Sequence, residues 1–160
     1  MSQSLSQVVS ADHAEVYTLH ESYLVSKGDV NAQAQHALML GWAVGRHAMM
    51  EEILMHPLQT RAIPGQGAEL AAIDAREHEQ IKEMLMQLAS WTEGHGPGTI
   101  EFDNLLETMM GHLRRHNDSE ESADLPLLDS HLGPEGSARA AEMFGKVKQF
   151  MALSRLVFSL

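Results

Sequence analysis

His47 and Glu51 stand four residues apart in this chain, and His116 and Glu120 repeat the spacing. On a helix that separation is about one turn of rise and about 40° of rotation, so imidazole and carboxylate face the same way and can close on one ion. The likeness runs further. Residues 47–57 read H-A-M-M-E-E-I-L-M-H-P and residues 116–126 read H-N-D-S-E-E-S-A-D-L-P, two copies of H-x3-E-E-x4-P. Each copy follows an acid–histidine pair, Asp12-His13 before the first and Glu77-His78 before the second. The chain thus presents two related hairpins, each offering two histidines and one glutamate.

The elements that must position these residues are helices. Gly and Pro mark the joints at 27–29, 63–67, 94–98 and 133–136. The segments between them predict helices over about 10–26, 31–61, 67–92 and 99–132, with Ser10, Asn31 and Thr99 as caps and a further helix over about 135–158. No strand alternation competes. The fold expected is all-α, an up-down antiparallel four-helix bundle with an additional C-terminal helix, in a single domain over 1–160 whose core spans about 8–132.

Steps of three and four give one core stripe per helix: Val9, His13, Val16, His20; Leu40, Ala43, His47, Glu51, Leu54, Leu58; Leu70, Asp74, His78, Ile81, Leu85, Leu88; and Phe102, Leu106, Met109, Leu113, His116, Glu120. Each stripe is interrupted by histidine. A buried carboxylate or imidazole without a partner is costly, so residues of this kind in a core imply something there that binds them.

Composition narrows the choice. The 160 residues include 22 Asp and Glu against 11 Lys and Arg, a net charge of −11, which disfavours nucleic acid and anionic membrane surfaces as partners. The absence of cysteine excludes disulfides, thiolate zinc sites, iron–sulfur clusters and cysteine nucleophiles. The start carries no basic flank with an apolar run, and no stretch is long enough to span a membrane, so a soluble, cytoplasmic protein is expected.

Four imidazoles and two carboxylates are too many for one tetrahedral ion and too few to close two octahedral ones. If both glutamates bridge two metals, each metal has two histidines and two carboxylate oxygens and keeps open positions for solvent, an oxo or hydroxo bridge and an outside ligand. Imidazole with carboxylate suits iron or manganese and, less specifically, zinc, whereas calcium and magnesium prefer oxygen cages. Two such ions outweigh two carboxylates in charge, so a bridging dianion derived from dioxygen is favoured. The Glu-x-x-His spacing of ferritin-like bundles occurs nowhere in the chain.

The Asp12-His13 opening, the segment from Arg46 through His47 to Glu51-Glu52, the run from Glu77-His78 to Lys82, and His112 to His116 followed by Glu120-Glu121 resemble the hemerythrin-like HHE cation-binding domain over about residues 8–132. The resemblance implies a non-heme di-iron centre in an up-down bundle, with His13, His47, His78 and His116 as terminal ligands and Glu51 and Glu120 as bridges. Two positions depart from the oxygen carriers of that family. Lys82 stands where they have a second histidine, and Glu120 follows His116 by four where they have an aspartate at five. Sensing or catalysis is therefore favoured over simple transport.

The function expected is a non-heme di-iron protein that binds and reacts with dioxygen or a related small molecule. The alternative is a stand-alone di-iron oxidoreductase, of oxygenase or peroxidase type, acting on a small apolar substrate. His20 shares a stripe with His13 and is an alternative to it, and His112 forms a His-x3-His pair with His116. Asp12, Asp74 and Glu77 are expected behind the ligands, and Glu52 and Glu121 toward neighbouring helices or water. His36, His56, His95 and His131 are read as surface or loop residues. Tyr17 and Lys82 are read as a packed ring with a wet hydroxyl and a snorkelling cation, and Met50, Met109 and Met110 as core filler. Phe144, Val147, Phe150, Met151, Leu153, Leu156, Val157 and Phe158 give the last helix an apolar face that can dock on the bundle or join two copies in a homodimer.

Overall fold

In a computed structural model that describes residues 3–158, with side chains placed through Leu153, the chain folds into α1 (Leu5–Val25), α2 (Val30–Met50), α3 (His56–Ala62), α4 (Gly67–Ala89), α5 (Ile100–Ser119) and α6 (Leu125–Phe158). No strand occurs among the described residues. None of their helices is long and apolar enough to cross a membrane. The Leu156, Val157 and Phe158 side chains lie outside the description.

Three caps fix the register. Ser4 accepts from the Gln7 N–H in a capping box, so α1 starts six residues before the expected Ser10 cap. Asp29 rather than Asn31 caps α2, accepting from the Ala32 N–H. Thr99 caps α5 as the sequence predicts. A Cβ at Gly67 would lie 1.8 Å from the Gln59 carbonyl oxygen, so only glycine lets α4 begin this close to α3.

The expected helices over 31–61 and 99–132 are each interrupted by a π-turn, at Glu51–Met55 and Glu120–Asp124. The cause is visible in the repeat. Pro57 and Pro126 have no N–H to give the preceding turn, and their rings crowd it; one extra residue just before each widens the helix. The extra residue also moves the core stripe. After Glu51 the buried positions are Met55 and Gln59, while the expected Leu54 and Leu58 are only half-buried. After Glu120 they are Leu125 and Leu128.

α1 packs on α2 and α6, α3 on α4, and α4 on α5. The apolar core is in two clusters, one around Val16, Leu40, Val44, Ile81, Met109 and Leu113, the other around Leu5, Val9, Met50, Met55, Leu125 and Phe144. Between them the bundle is polar and still buried, with His13, His47, Glu51, Asp74, His78, His116 and Glu120. The C-terminal helix joins directly to the segment before it and bends at Gly133, whose φ of 67° lies in the left-handed region. Beyond the bend it lies back on the bundle, burying Phe144 but leaving Phe150 and Leu153 exposed.

Candidate metal centre

All six residues singled out as ligands converge in the polar layer. His13 comes from the middle of α1, His47 from the last turn of α2, His78 from the middle of α4 and His116 from the last turn of α5. Glu51 and Glu120 each open a π-turn. The four imidazoles turn Nε2 inward, with Nε2 of His13 3.0 Å from that of His47 and Nε2 of His78 3.2 Å from that of His116. Glu51 reaches both pairs, with Oε1 3.0 Å from His47 Nε2 and Oε2 3.1 Å from His78 Nε2. Glu120 Oε2 lies 3.4 Å from His13 Nε2.

Behind the rings stands a second set of carboxylates. His13 Nδ1 faces Glu121 at 2.5 Å, His47 Nδ1 faces Asp12 at 2.8 Å and His116 Nδ1 faces Glu77 at 2.7 Å. His78 Nδ1 has Glu52 and Asp74 at 3.5 Å each, without a hydrogen bond. Each doublet in the sequence therefore serves two roles. In His-x3-Glu-Glu the first glutamate faces the centre and the second reaches a histidine of the other hairpin. In the acid–histidine pairs the histidine faces the centre and the acid backs the next histidine of its own hairpin. A carboxylate that accepts a hydrogen bond from Nδ1–H keeps the proton on Nδ1 and the lone pair on Nε2, the ligating tautomer.

Such an arrangement fits a cation. Where Nδ1 carries the proton, the inward Nε2 atoms of His13 and His47 bring two lone pairs together at 3.0 Å, a repulsion that a shared positive ion relieves. All four carboxylate oxygens of Glu51 and Glu120 are buried and make no hydrogen bond. Two groups could each hold a metal ion, with ligand atoms within 4.8 Å of one another: His13, His47, Glu51 and Glu120, and Glu51, Asp74, His78 and His116. Glu51 belongs to both, Glu120 to the first, and Asp74 takes the corresponding place in the second.

The electrostatics of the metal-free protein agree. Burial disfavours a charge on Glu51, but His47 beside it, with His13 and His78, holds its carboxyl well below the ordinary range. Glu120 is pushed up to about 8 by burial and by the charge of Glu51. Burial works against a charge on His13, yet Glu120 and Glu51 outweigh it and raise its pKa to about 9. Without an ion the site thus holds protons in place of the missing positive charge.

Other candidates fall outside. His20 faces Glu107 and Arg114, and His112 lies half-buried, one turn before His116, beside the centre. Tyr17 accepts a hydrogen bond from Asn117 and packs under Arg114. Lys82 pairs with Glu52 and Glu79 near the surface. His36 bonds Ser26 between helices, and His95 and His131 are exposed.

Two residues were misplaced by sequence reasoning. Asp74, expected behind the ligands, lies among them, with Oδ1 3.3 Å from His116 Nε2. The signal was its position four residues before His78, the same spacing reversed. His56, read as a surface or loop residue, pairs through Nε2 with Asp74 and stacks near the His78 ring. On an uninterrupted helix residue 56 faces away from residue 47, and the π-turn swings it inward.

The family model for the hemerythrin HHE cation binding domain matches residues 4–128. A relative from Schizosaccharomyces pombe, described as an uncharacterized hemerythrin-like protein, is 29% identical over 147 residues, 92% of this chain and 70% of the relative. No solved structure matches the chain significantly. The matched segment contains every residue of the two histidine–carboxylate groups, and the chain belongs to the hemerythrin HHE cation-binding domain family.

Proposed function

We propose that this protein is a non-heme di-iron protein that binds and reacts with dioxygen or a related small molecule. His13, His47, Glu51 and Glu120 would hold one ion, and Glu51, Asp74, His78 and His116 the other. The observation that carries this reading is the pair of fully buried, unbonded glutamate carboxylates facing four inward imidazole nitrogens. Bound iron supplies a redox couple and open coordination positions for a small ligand. The chain supplies the rest. Asp12, Glu77 and Glu121 fix ring orientation and tautomer, and the apolar clusters on either side keep bulk water from the polar layer.

A cavity of about 420 Å³ between α2, α4 and α5 favours the second reading, an oxidoreductase acting on a small apolar substrate. Leu40, Leu85, Leu88, Phe102 and Leu106 line it, and Met109, two turns before His116 on α5, lies at its buried side.

Anaerobic reconstitution with ferrous iron tests the proposal. Two irons per chain, a ferric absorption spectrum when air is admitted, and loss of both in Glu51→Ala are expected. No stoichiometric iron, or a variant indistinguishable from wild type, overturns it. A reversible adduct on removing oxygen supports binding, and turnover of an added organic substrate supports the oxidoreductase.

A further inference from the structure

The C-terminal helix carries a charge into the shell of the centre. After the bend at Gly133, α6 runs back along α1 in register. The Ser137 hydroxyl accepts from the Leu5 N–H at 2.8 Å, Phe144 fills the cluster around Val9, and Lys148 arrives at Asp12 and Glu15. Lys148 Nζ lies 2.5 Å from Asp12 Oδ1. Arg46 Nη2 approaches the same oxygen at 3.2 Å and Glu15 Oε1 at 3.1 Å. The other oxygen of Asp12 is the one on His47 Nδ1.

One buried carboxylate therefore stands between two cations and an imidazole, with its side chain fully buried and Lys148 31% exposed. The equivalent carboxylate of the second hairpin, Glu77 on His116, is 48% exposed and has no lysine or arginine partner among the described residues. A buried anion on Nδ1 makes an imidazole a stronger donor only while the carboxylate is held in line with it, and cations on its other oxygen pin it in place.

We infer that Lys148 is a positioning residue of the metal centre: held on α6, it fixes Asp12 against His47 and so sets the metal affinity of the α1–α2 position separately from that of the α4–α5 position. The C-terminal helix is then a component of the site. This rests on the reading that His47 ligates a metal.

The test is release of ferrous iron from the loaded protein to a chromogenic chelator, anaerobically, for wild type, Lys148→Met, Lys148→Arg and Glu15→Gln. One of the two irons is expected to leave roughly tenfold faster from Lys148→Met, the low end for loss of such an outer partner because Arg46 remains. The other iron should leave at the wild-type rate. Lys148→Arg should restore the slow phase, and Glu15→Gln, which touches the cations but not His47, should keep it. Lys148→Gln repeats the measurement should the methionine variant not fold. Unchanged release from a Lys148→Met chain that still holds two irons overturns this inference alone. So does equal acceleration of both irons with a lowered melting temperature, because that is the signature of a helix that merely docks. A wild-type chain without stoichiometric iron overturns the underlying reading and this inference with it.

Discussion

Hairpin α1–α2 offers its candidate ligands from a closed setting. Val9, Met55 and Leu125 belong to the apolar cluster on that side, α6 packs along α1, and the acid behind His47 is buried between Arg46 and Lys148. Hairpin α4–α5 offers as many histidines, His78 and His116, from a wetter and more acidic one. Glu77 behind His116 is half in solvent, Asp74 and His56 pair inside, and a cavity of about 260 Å³ lined by Gln80, His112 and Arg115 reaches Glu77 and His116. Asp124 nearby is held above its ordinary range by burial and by the charge of Asp74. A repeated motif thus produces two positions with equal histidine counts and unequal surroundings. The motif fixes which atoms face the centre, and the residues around it decide how firmly each position holds.

The largest effect that could break this comparison is a stoichiometry. Glu120→Ala and Asp74→Ala should each lower bound metal from two ions per chain to one, read by metal analysis after reconstitution. If either variant keeps both ions, or loses both, the assignment of one private carboxylate to each position is wrong.

The next effect sharpens it. Asp12→Asn should weaken one position by about 100-fold and Glu77→Gln the other by about 10-fold, the two ends of the range for carboxylates behind ligating histidines, because Asp12 is buried and Glu77 is not. Competitive chelator titration measures both, and equal losses would remove the asymmetry.

The smallest concerns pH. A His13 pKa raised from 6.5 to about 9 gives the metal-free fold stability that is full below 6.5 and lost as pH rises through 9. Glu120, raised from 4.5 to about 8, acts in the same direction, since the folded chain keeps a proton there that the unfolded chain has released. The melting temperature of metal-free protein should fall by several degrees between pH 6.5 and 9. Bound metal replaces those protons, so the gap between loaded and metal-free protein should widen over the same interval. A constant gap would count against the protonated site.

Much of this was legible in the chain. Four stripes with histidine at mid-length locate the polar layer, because side-chain direction on a helix follows from spacing alone. Glycine and proline locate the joints, since their constraints are local. What spacing could not supply was the change of helical period. The stripe written as Leu54 and Leu58 is correct for an uninterrupted helix and off by one residue for this one, and His56 was misread for the same reason. Glu52 and Glu121 were expected toward neighbouring helices or water. Glu121 lands 2.5 Å from His13 Nδ1, a contact between residues 108 apart in sequence that no local pattern contains. Asp74 was on its stripe in plain view, but choosing between the inner and outer shell needs the position of His116 across the bundle.

The two π-turns also bear on how this chain can change length. A π-turn is an α-helix carrying one surplus residue, and here the next core residues after each centre-facing glutamate, Met55 and Gln59 after Glu51 or Leu125 and Leu128 after Glu120, already occupy the core positions of a helix one residue shorter. Deleting Ile53 or Ser122 would shorten the helix by one step without exchanging inside for outside beyond it. Each π-turn is therefore a point where a related sequence can gain or lose a single residue inside a helix. In an alignment the mark would be a one-residue gap between a centre-facing glutamate and the proline six positions on, at the same place in both halves of the chain.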